Sequence, residues 1–436
     1  MKRSIVTGLG IAAALSLALA GCSSDADAES APETTPSGPV TVTLAGWSLA
    51  TTPEFQTLAD AFHAANPDIT VEAKEYDATN YDTQMTADLA AGTAPDIYVQ
   101  KNLKNFFTYQ NGAQLMDLSD VADTLDKSLS GLDAYEVEGA TYAIPYRQDS
   151  WYLYYNRDLF DAAGMEYPDG SWTWDDYATN ADEMTAALAA AGSPALGTYQ
   201  HTWQSPVQGF ALAQTPDADL LSGDFSYLAP YYESRIALQD SGAQASYGTA
   251  TTNSLTYQAQ FGTQKAAMMP MGSWYVATLI AQQASGDSET FNWGIAPAPQ
   301  LDSSTVKNPV TFGDPTGLGI NPAIDDDKAA AAKAFLAYVG SEDAALALAK
   351  IGITPAYASD VVTEAYFGLK GVPTDDLSRF AFSTHDTKPE NPVSKYTTGI
   401  QNILNDAHSI IMSGSSTVED ALAEAESRAE NEVLNQ

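Results

Sequence analysis

Four histidines, one cysteine and 56 acidic side chains are the chain's stock for nucleophilic, metal-assisted or acid–base chemistry. His63, His201, His385 and His408 lie far apart, and none stands in an HExxH or other spacing that would close a tetrahedral zinc site. There is no GxSxG elbow to present a serine nucleophile. Gly317-Leu318-Gly319 lacks the third glycine and acidic partner of a dinucleotide fingerprint. Asp325-Asp326-Asp327 lacks the glycine and terminal glutamate of a calcium loop. That run reads instead as a helix N-terminus leading into Lys328, where acidic side chains complement the partial positive charge of the first turn. No cofactor and no metal are expected. Paired carboxylates for bond hydrolysis are the one catalytic arrangement that composition leaves open, since so many acids offer many pairs.

The single cysteine is informative by position. Lys2 and Arg3 open the chain, an apolar stretch runs from Ile5 to Ala20, and Gly21-Cys22 follows, which is the layout of a secretory signal peptide. The stretch is too short to span a bilayer comfortably. Leu19-Ala20-Gly21-Cys22 resembles the lipobox of bacterial lipoproteins, whose cysteine is acylated before cleavage leaves it at the new N-terminus. Residues 1–21 are therefore expected to direct export and Cys22 to carry lipid. With 19 Lys+Arg against 56 Asp+Glu the formal charge is −37. Such a surface repels phosphate backbones and anionic headgroups, so no nucleic-acid partner is expected and attachment must rest on acyl chains, at about 0.8 kcal/mol per buried CH₂. Residues 22–39 carry no aromatic or large aliphatic side chain and read as a flexible tether.

Beyond the tether the pattern changes. Val40, Val42 and Leu44 alternate with threonines, giving a strand that ends at Gly46-Trp47. Thr52-Pro53 supplies an N-cap and a proline at the first helical position, followed by Phe55, Leu58 and Phe62 on one face, with Asn66-Pro67 as a stop. Ile69, Val71 and Ala73 mark a second strand, Tyr81, Met85 and Leu89 a second helix closed by Gly92, and Ala94 to Val99 a third strand. Repeated β-α-β units imply an α/β fold with parallel sheets covered by helices. Ligands of such sheets bind outside the carboxyl ends of the strands, here near Trp47, Tyr76 and Gln100 to Asn102. Near the C-terminus, Ser416 and Glu419 stand in capping-box spacing before a packed outer helix.

Seven ordered segments carry a family resemblance: LAAGTAPDIYV, NGAQLMDLSD, GATYAIPYRQDSWYLYYNRDLFDAAG, WTWDDYATNADEM, FGTQKAAMMPMGSWYV, WGIAPAPQ and AAAAKAFLAYVGSEDAALALA. In this order they resemble the extracellular solute-binding proteins of ABC sugar importers, the family of maltose-binding protein. The resemblance runs from about residue 40 to the C-terminus. It implies a two-lobed periplasmic-binding-protein fold, each lobe a mainly parallel sheet with flanking helices, joined by a hinge that the chain crosses more than once. Motif order places residues 40–149 and 310–358 in the first lobe, and 150–309 and 359–436 in the second. It further implies a monomer without catalytic activity, which captures a carbohydrate and delivers it to a membrane permease.

A neutral sugar offers apolar C–H faces and a rim of hydroxyls, so its site needs aromatic platforms edged with carboxylates, amides and cationic donors. Trp274, in the GSW segment, corresponds by the resemblance to a tryptophan that stacks on sugar, with Ser273 where maltose-binding protein has proline. Asp149 corresponds by the resemblance to a ligand-contacting glutamate, and a solvated loop charge paired with Arg147 is the alternative reading of that carboxylate. Trp47 ends the first strand, where it either stacks on ligand or covers the sheet. Trp203 sits in the polar run YQHTWQSP, where core burial is less natural. Lys101 and Asn102 follow the third strand. Asp314 lies among glycines that let backbone approach a ligand. His385 and Asp386 form a polar pair in an expected interlobe loop. Trp172, Trp174 and Trp293 are assigned to structure. A lipid-anchored glycosidase, or the same fold binding a non-sugar solute, is the competing reading.

Overall fold

The computed structural model describes residues 38–50 and 53–436. The export segment 1–21, Cys22 and the tether up to residue 37 lie outside the described residues, as does Thr52.

The first sheet is built as its periodicity dictates. Strand β1 (Val40–Gly46) is followed by the helix Glu54–Ala65, β2 (Ile69–Glu75), the helix Tyr81–Ala91 and β3 (Ile97–Gln100). β1 runs parallel to β2, with Val40 opposite Ile69 and Gly46 opposite Glu75, and parallel to β3, with Leu44 opposite Ile97. Phe55, Leu58 and Phe62 bury the face that their spacing predicts. Pro53 takes the N-cap rather than the first helical position, because its ψ of 39° lies outside the helical range. Gly92 closes the second helix in the left-handed region at φ 69°.

A short hairpin, β4 (Glu136–Val137) with β5 (Ala140–Thr141), precedes β6 (Ile144–Gln148). Asp149-Ser150 then carries the chain directly into β7 (Trp151–Asn156) of a second sheet. That sheet is completed by β8 (Leu196–Thr198), β9 (Ala266–Gly272) and β10 (Trp293–Pro297) in the order β10-β7-β9-β8. The chain returns through β11 (Val310–Phe312) and Gly313-Asp314 to β12 (Pro315–Ile320), which inserts to give β2-β1-β3-β12-β6. A last crossing after Tyr357 sends the remaining helices to the second sheet, with β13 (Asp386–Lys388) pairing parallel to β11. Each sheet builds a core of its own, with a further cluster of Leu153, Phe160, Tyr177, Met184 and Met268 on the second sheet. Leu44, Val99, Leu318 and Phe335 belong to the first, and Tyr154, Phe210, Met269 and Ile295 to the second.

Three features differ from expectation. The sheets are more mixed than mainly parallel: β12 is antiparallel to β3 and β6, and β7 to β9 and β10. A crossover helix returns the chain to the same end of the sheet and so keeps the strand direction. β12, arriving straight from the second sheet, enters the first from the opposite end and runs against both of its neighbours, β3 and β6. Val310–Phe312, assigned to the first lobe by motif order, pairs with β13 and buries Phe312 against Trp151 and Phe210 of the second core. The C-terminal helix Val418–Ala429 is capped one residue later than the spacing suggests: the Asp420 N–H donates to Thr417 Oγ1 at 3.1 Å.

Candidate functional site

The carboxyl end of β9 sets the orientation of Trp274. Gly272 ends the strand, and a Cβ there would lie 2.0 Å from the Trp274 ring, so only glycine lets the indole lie back over the strand end. Ser273 fixes the next link, its N–H donating to Ser150 O at 2.8 Å. The ring then meets Trp151 edge-on at 5.5 Å and stands 6.5 Å from Trp203. Trp203, on the loop after β8, is 40% exposed, a large apolar surface left open to solvent. It lies 4.5 Å from the His201 ring, perpendicular to it, and 5.6 Å from Tyr257. Trp203, Trp274, Tyr257 and His201 thus form one aromatic group on the second lobe.

The polar edges of this group are neutral. The Tyr199 hydroxyl donates to Leu255 O at 3.1 Å and lies 2.9 Å from His201 Nδ1. The hydroxyl has one proton, so Nδ1–H must be the donor in the second contact, which leaves His201 Nε2 as an acceptor. Burial and the nearby Arg235 charge bring the His201 imidazole down to about 4, keeping it uncharged at neutral pH. Burial raises the Tyr257 phenol, so it remains a hydroxyl.

A buried chain of charge joins this group to the first lobe. Ser273 Oγ donates to Asp149 Oδ1 at 2.7 Å. Asp149 Oδ2 lies 2.9 Å from Arg147 Nε, a charge contact in which the N–H is not aligned as a hydrogen bond. Arg147 Nη1 donates to both oxygens of Glu54, the first residue of helix Glu54–Ala65, at 3.1 and 2.8 Å. All four side chains are buried. Two carboxylates share one guanidinium, so when both are ionised the cluster carries one net negative charge. Burial raises the Glu54 carboxyl and the neighbouring Asp149 charge adds to the rise, while Arg147 opposes both.

Residues 46–346 match the bacterial extracellular solute-binding protein family. The chain belongs to that family. Among solved structures, a sugar transporter from Rhizobium etli in an open conformation is 29% identical, with a TM-score of 0.75, covering 90% of this chain and 99% of that one. An ABC substrate-binding protein from Listeria monocytogenes, solved in complex with cycloalternan, is 22% identical with a TM-score of 0.74, over 90% and 98% of the two chains. A chitin oligosaccharide binding protein is 19% identical with a TM-score of 0.71, over 89% and 98%. These last two likenesses establish the two-lobed fold. A curated binding protein of Brucella abortus is 29% identical over 184 residues, 39% of this chain, and the match spans 38% of that relative's length.

The other candidate residues of this solute-binding protein are placed less simply. Trp47 is buried in the first core, edge-on to Phe55 at 5.2 Å and Tyr81 at 5.0 Å, and covers the end of β1. Lys101 Nζ stands 5.5 Å over the Trp47 ring and donates to Ala78 O, and burial lowers its pKa. Asn102 Oδ1 accepts from Lys104 N at 3.1 Å and shapes the turn after β3.

Three expectations are corrected. Asp314 is a tie between segments and not a ligand acceptor: its oxygens accept from Leu103 N at 3.1 Å, Glu390 N at 2.9 Å, and Asn391 N and Nδ2 at 3.2 and 2.7 Å. Those four donors saturate the carboxylate. Both nitrogens of His385 are engaged, Nε2 with Phe382 O at 3.1 Å and Nδ1 with Thr387 Oγ1 at 2.8 Å. Asp386 pairs with Lys388 at 2.8 Å. Each of the two is thus held by partners of its own.

His201 and Tyr257 escaped the sequence reading. The rule that selected Trp47, proximity to the carboxyl end of a strand, also selects His201 once β8 is recognised. Tyr257 carries no such signal, because it arrives from a separate short helix, Tyr257–Gly262. Trp174 and Trp293 have partners inside the fold: Trp174 Nε1 donates to Gln214 Oε1 at 2.8 Å, and Trp293 stacks on Tyr154 at 6.0 Å.

Proposed function

We propose that this chain is the substrate-binding component of an ABC importer and that it captures a carbohydrate, an oligosaccharide by preference, between its two lobes. The observation that carries this reading is the open aromatic group of Trp203, Trp274 and Tyr257, edged by the neutral imidazole of His201. Aromatic faces complement the C–H faces of a sugar ring, and neutral donors and acceptors at their edge complement its hydroxyls. The Rhizobium sugar transporter and the complex with cycloalternan support the same class of ligand. On this reading Asp149 reaches the ligand from the hinge, and Lys101 and Asn102 approach it from the first lobe. The first lobe comprises about 40–149 and 313–358, the boundary moving to Gly313 with the placement of β11.

Ligand closes the lobes, and the closed form is what a membrane permease engages. The protein works as a monomer held on the outer face of the cytoplasmic membrane by lipid on Cys22, with the acidic tether raising its effective concentration near the permease. A thermal-shift and calorimetric screen against mono- to hexasaccharides of several linkages tests this, since a ligand of the native state raises stability by RT ln(1 + [L]/Kd). At least one oligosaccharide should bind and be recovered intact. New reducing ends during the incubation would favour the glycosidase reading and sink this one.

A further inference from the structure

Arg235 stands apart from every other described arginine. Arg147, Arg157, Arg379 and Arg428 each pair with at least one carboxylate. Arg235 has none. It is 3% exposed, and only Nη2 is satisfied, by the carbonyls of Gln200 and His201. Nε and Nη1 are buried without a hydrogen-bond partner. Burial brings its pKa down to about 10, so the group is still a cation at neutral pH. An uncompensated buried guanidinium is costly, and a protein keeps one where something else supplies the counter-charge.

The same side chain lines a cavity of ≈ 170 Å³ on the second lobe. Trp174 and Tyr231 give it apolar walls, Gln200 and Ser234 supply polar groups, and Asp175 also lines it. None of its lining residues belongs to the aromatic group of Trp203, Trp274 and Tyr257. The two places touch through one loop: Gln200 lines the cavity, and the next residue is His201, whose carbonyl Arg235 holds.

We propose that this cavity is a second ligand site, which takes a small hydroxylated carboxylate. The carboxylate supplies the counter-charge to Arg235, whose donors exceed the acceptors around it, while Asp175 and Ser234 take up hydroxyl groups. A guanidinium turning toward that carboxylate shifts its hold on the Gln200 and His201 carbonyls, so occupancy reaches the loop that carries Trp203. The inference rests on Arg235 and the cavity, and stands whether or not the aromatic group binds sugar.

Titrating the full chain with D-glucuronate, D-glucose and acetate at constant ionic strength, read by calorimetry, tests it. Saturable binding of glucuronate is expected, with acetate weaker and glucose absent from this site. Binding should survive Trp274→Ala, which disables the aromatic group, and should weaken at least tenfold in Ser234→Trp, which fills the cavity. Because Arg235→Gln removes the guanidinium's bonds to two carbonyls and can unfold the loop, Arg235→Lys is read beside it: the cation remains but the planar donors are lost, and binding should fall in a folded protein. No saturable carboxylate binding, glucose bound as tightly at the cavity, binding unchanged in Ser234→Trp, or binding abolished by Trp274→Ala would each overturn the proposal.

Discussion

Trp274 owes its exposed face to an omission, the missing Cβ of Gly272, and its anchorage to Ser273. Replacing Trp274 with alanine should weaken oligosaccharide binding by on the order of 1 kcal/mol or more, about fivefold at least, with little loss of fold because the ring is only partly buried. Calorimetric titration of the folded variant decides it, and an unchanged Kd removes Trp274 from the site. Asp149 and Ser273 should behave as one unit. Ser273→Ala leaves Asp149 Oδ1 without its donor, and Asp149→Asn leaves Arg147 with Glu54 alone, so the double variant should destabilise by less than the sum of the two. A coupling of about 0.5–3 kcal/mol in urea unfolding is expected. At this scale the sequence showed which residue types could bind; the polar run around it singled out Trp203, and the family resemblance singled out Trp274. It did not show which of these groups the protein itself already uses. Asp314 and His385 have suitable chemistry, but Asp314 is saturated by Leu103, Glu390 and Asn391 from segments far away in the chain, which no local pattern encodes, and His385 is engaged by its near neighbours Phe382 and Thr387.

Among the elements, the β-α-β rhythm of residues 40–100 was legible because each strand and helix there carries its own period and stop signal. The direction of β7 and β12 was not, since a crossing between sheets has no local periodicity. Two of those crossings meet at Gly313, where a Cβ would lie 2.0 Å from the Asp149 carbonyl oxygen. Gly313→Ala should therefore force the crossings apart and cost about 1–3 kcal/mol, measurable as a lower Tm, with ligand affinity falling as Asp149 shifts. A variant as stable as the parent would show that the crossings are not in close register. The neighbouring loop adds a pH dependence. Burial and Asp314 push the Glu390 carboxyl from 4.5 up to about 7, against Lys104 and the hydroxyl of Ser205. The folded chain then holds a proton that the unfolded chain has released, so stability falls as pH rises from about 4.5 to 7. Glu390→Gln should be the more stable protein at pH 8, by on the order of 1–2 kcal/mol after allowing for partial exposure, with the gap shrinking several-fold at pH 5. Denaturant unfolding at the two pH values measures it, and a gap independent of pH would place the proton elsewhere.

For the whole molecule the dominant quantity is the formal charge of −37. A charge of that size acts against the compact state, because unfolding moves like charges apart. The repulsion is long-ranged and lies at the surface, so salt should screen it, with a Debye length of about 10 Å at 0.1 M and about 30 Å at 0.01 M. The buried cluster of Glu54, Arg147 and Asp149 lies out of reach of that screening. Raising NaCl from 10 to 300 mM should therefore raise Tm while leaving the hinge contacts intact, the opposite of what a fold held by surface ion pairs would show. The same titration bears on the ligand. A neutral carbohydrate bound by aromatic faces and uncharged edges exchanges no counterions, so its Kd should stay constant over the range in which Tm climbs. A cationic solute, drawn in by the acidic surface, would lose affinity steeply as salt rises. Measuring Tm and Kd on one protein across one salt series thus separates the field of the whole molecule from the chemistry of its site, and a salt-dependent Kd would argue against a neutral ligand even if the aromatic group proved essential.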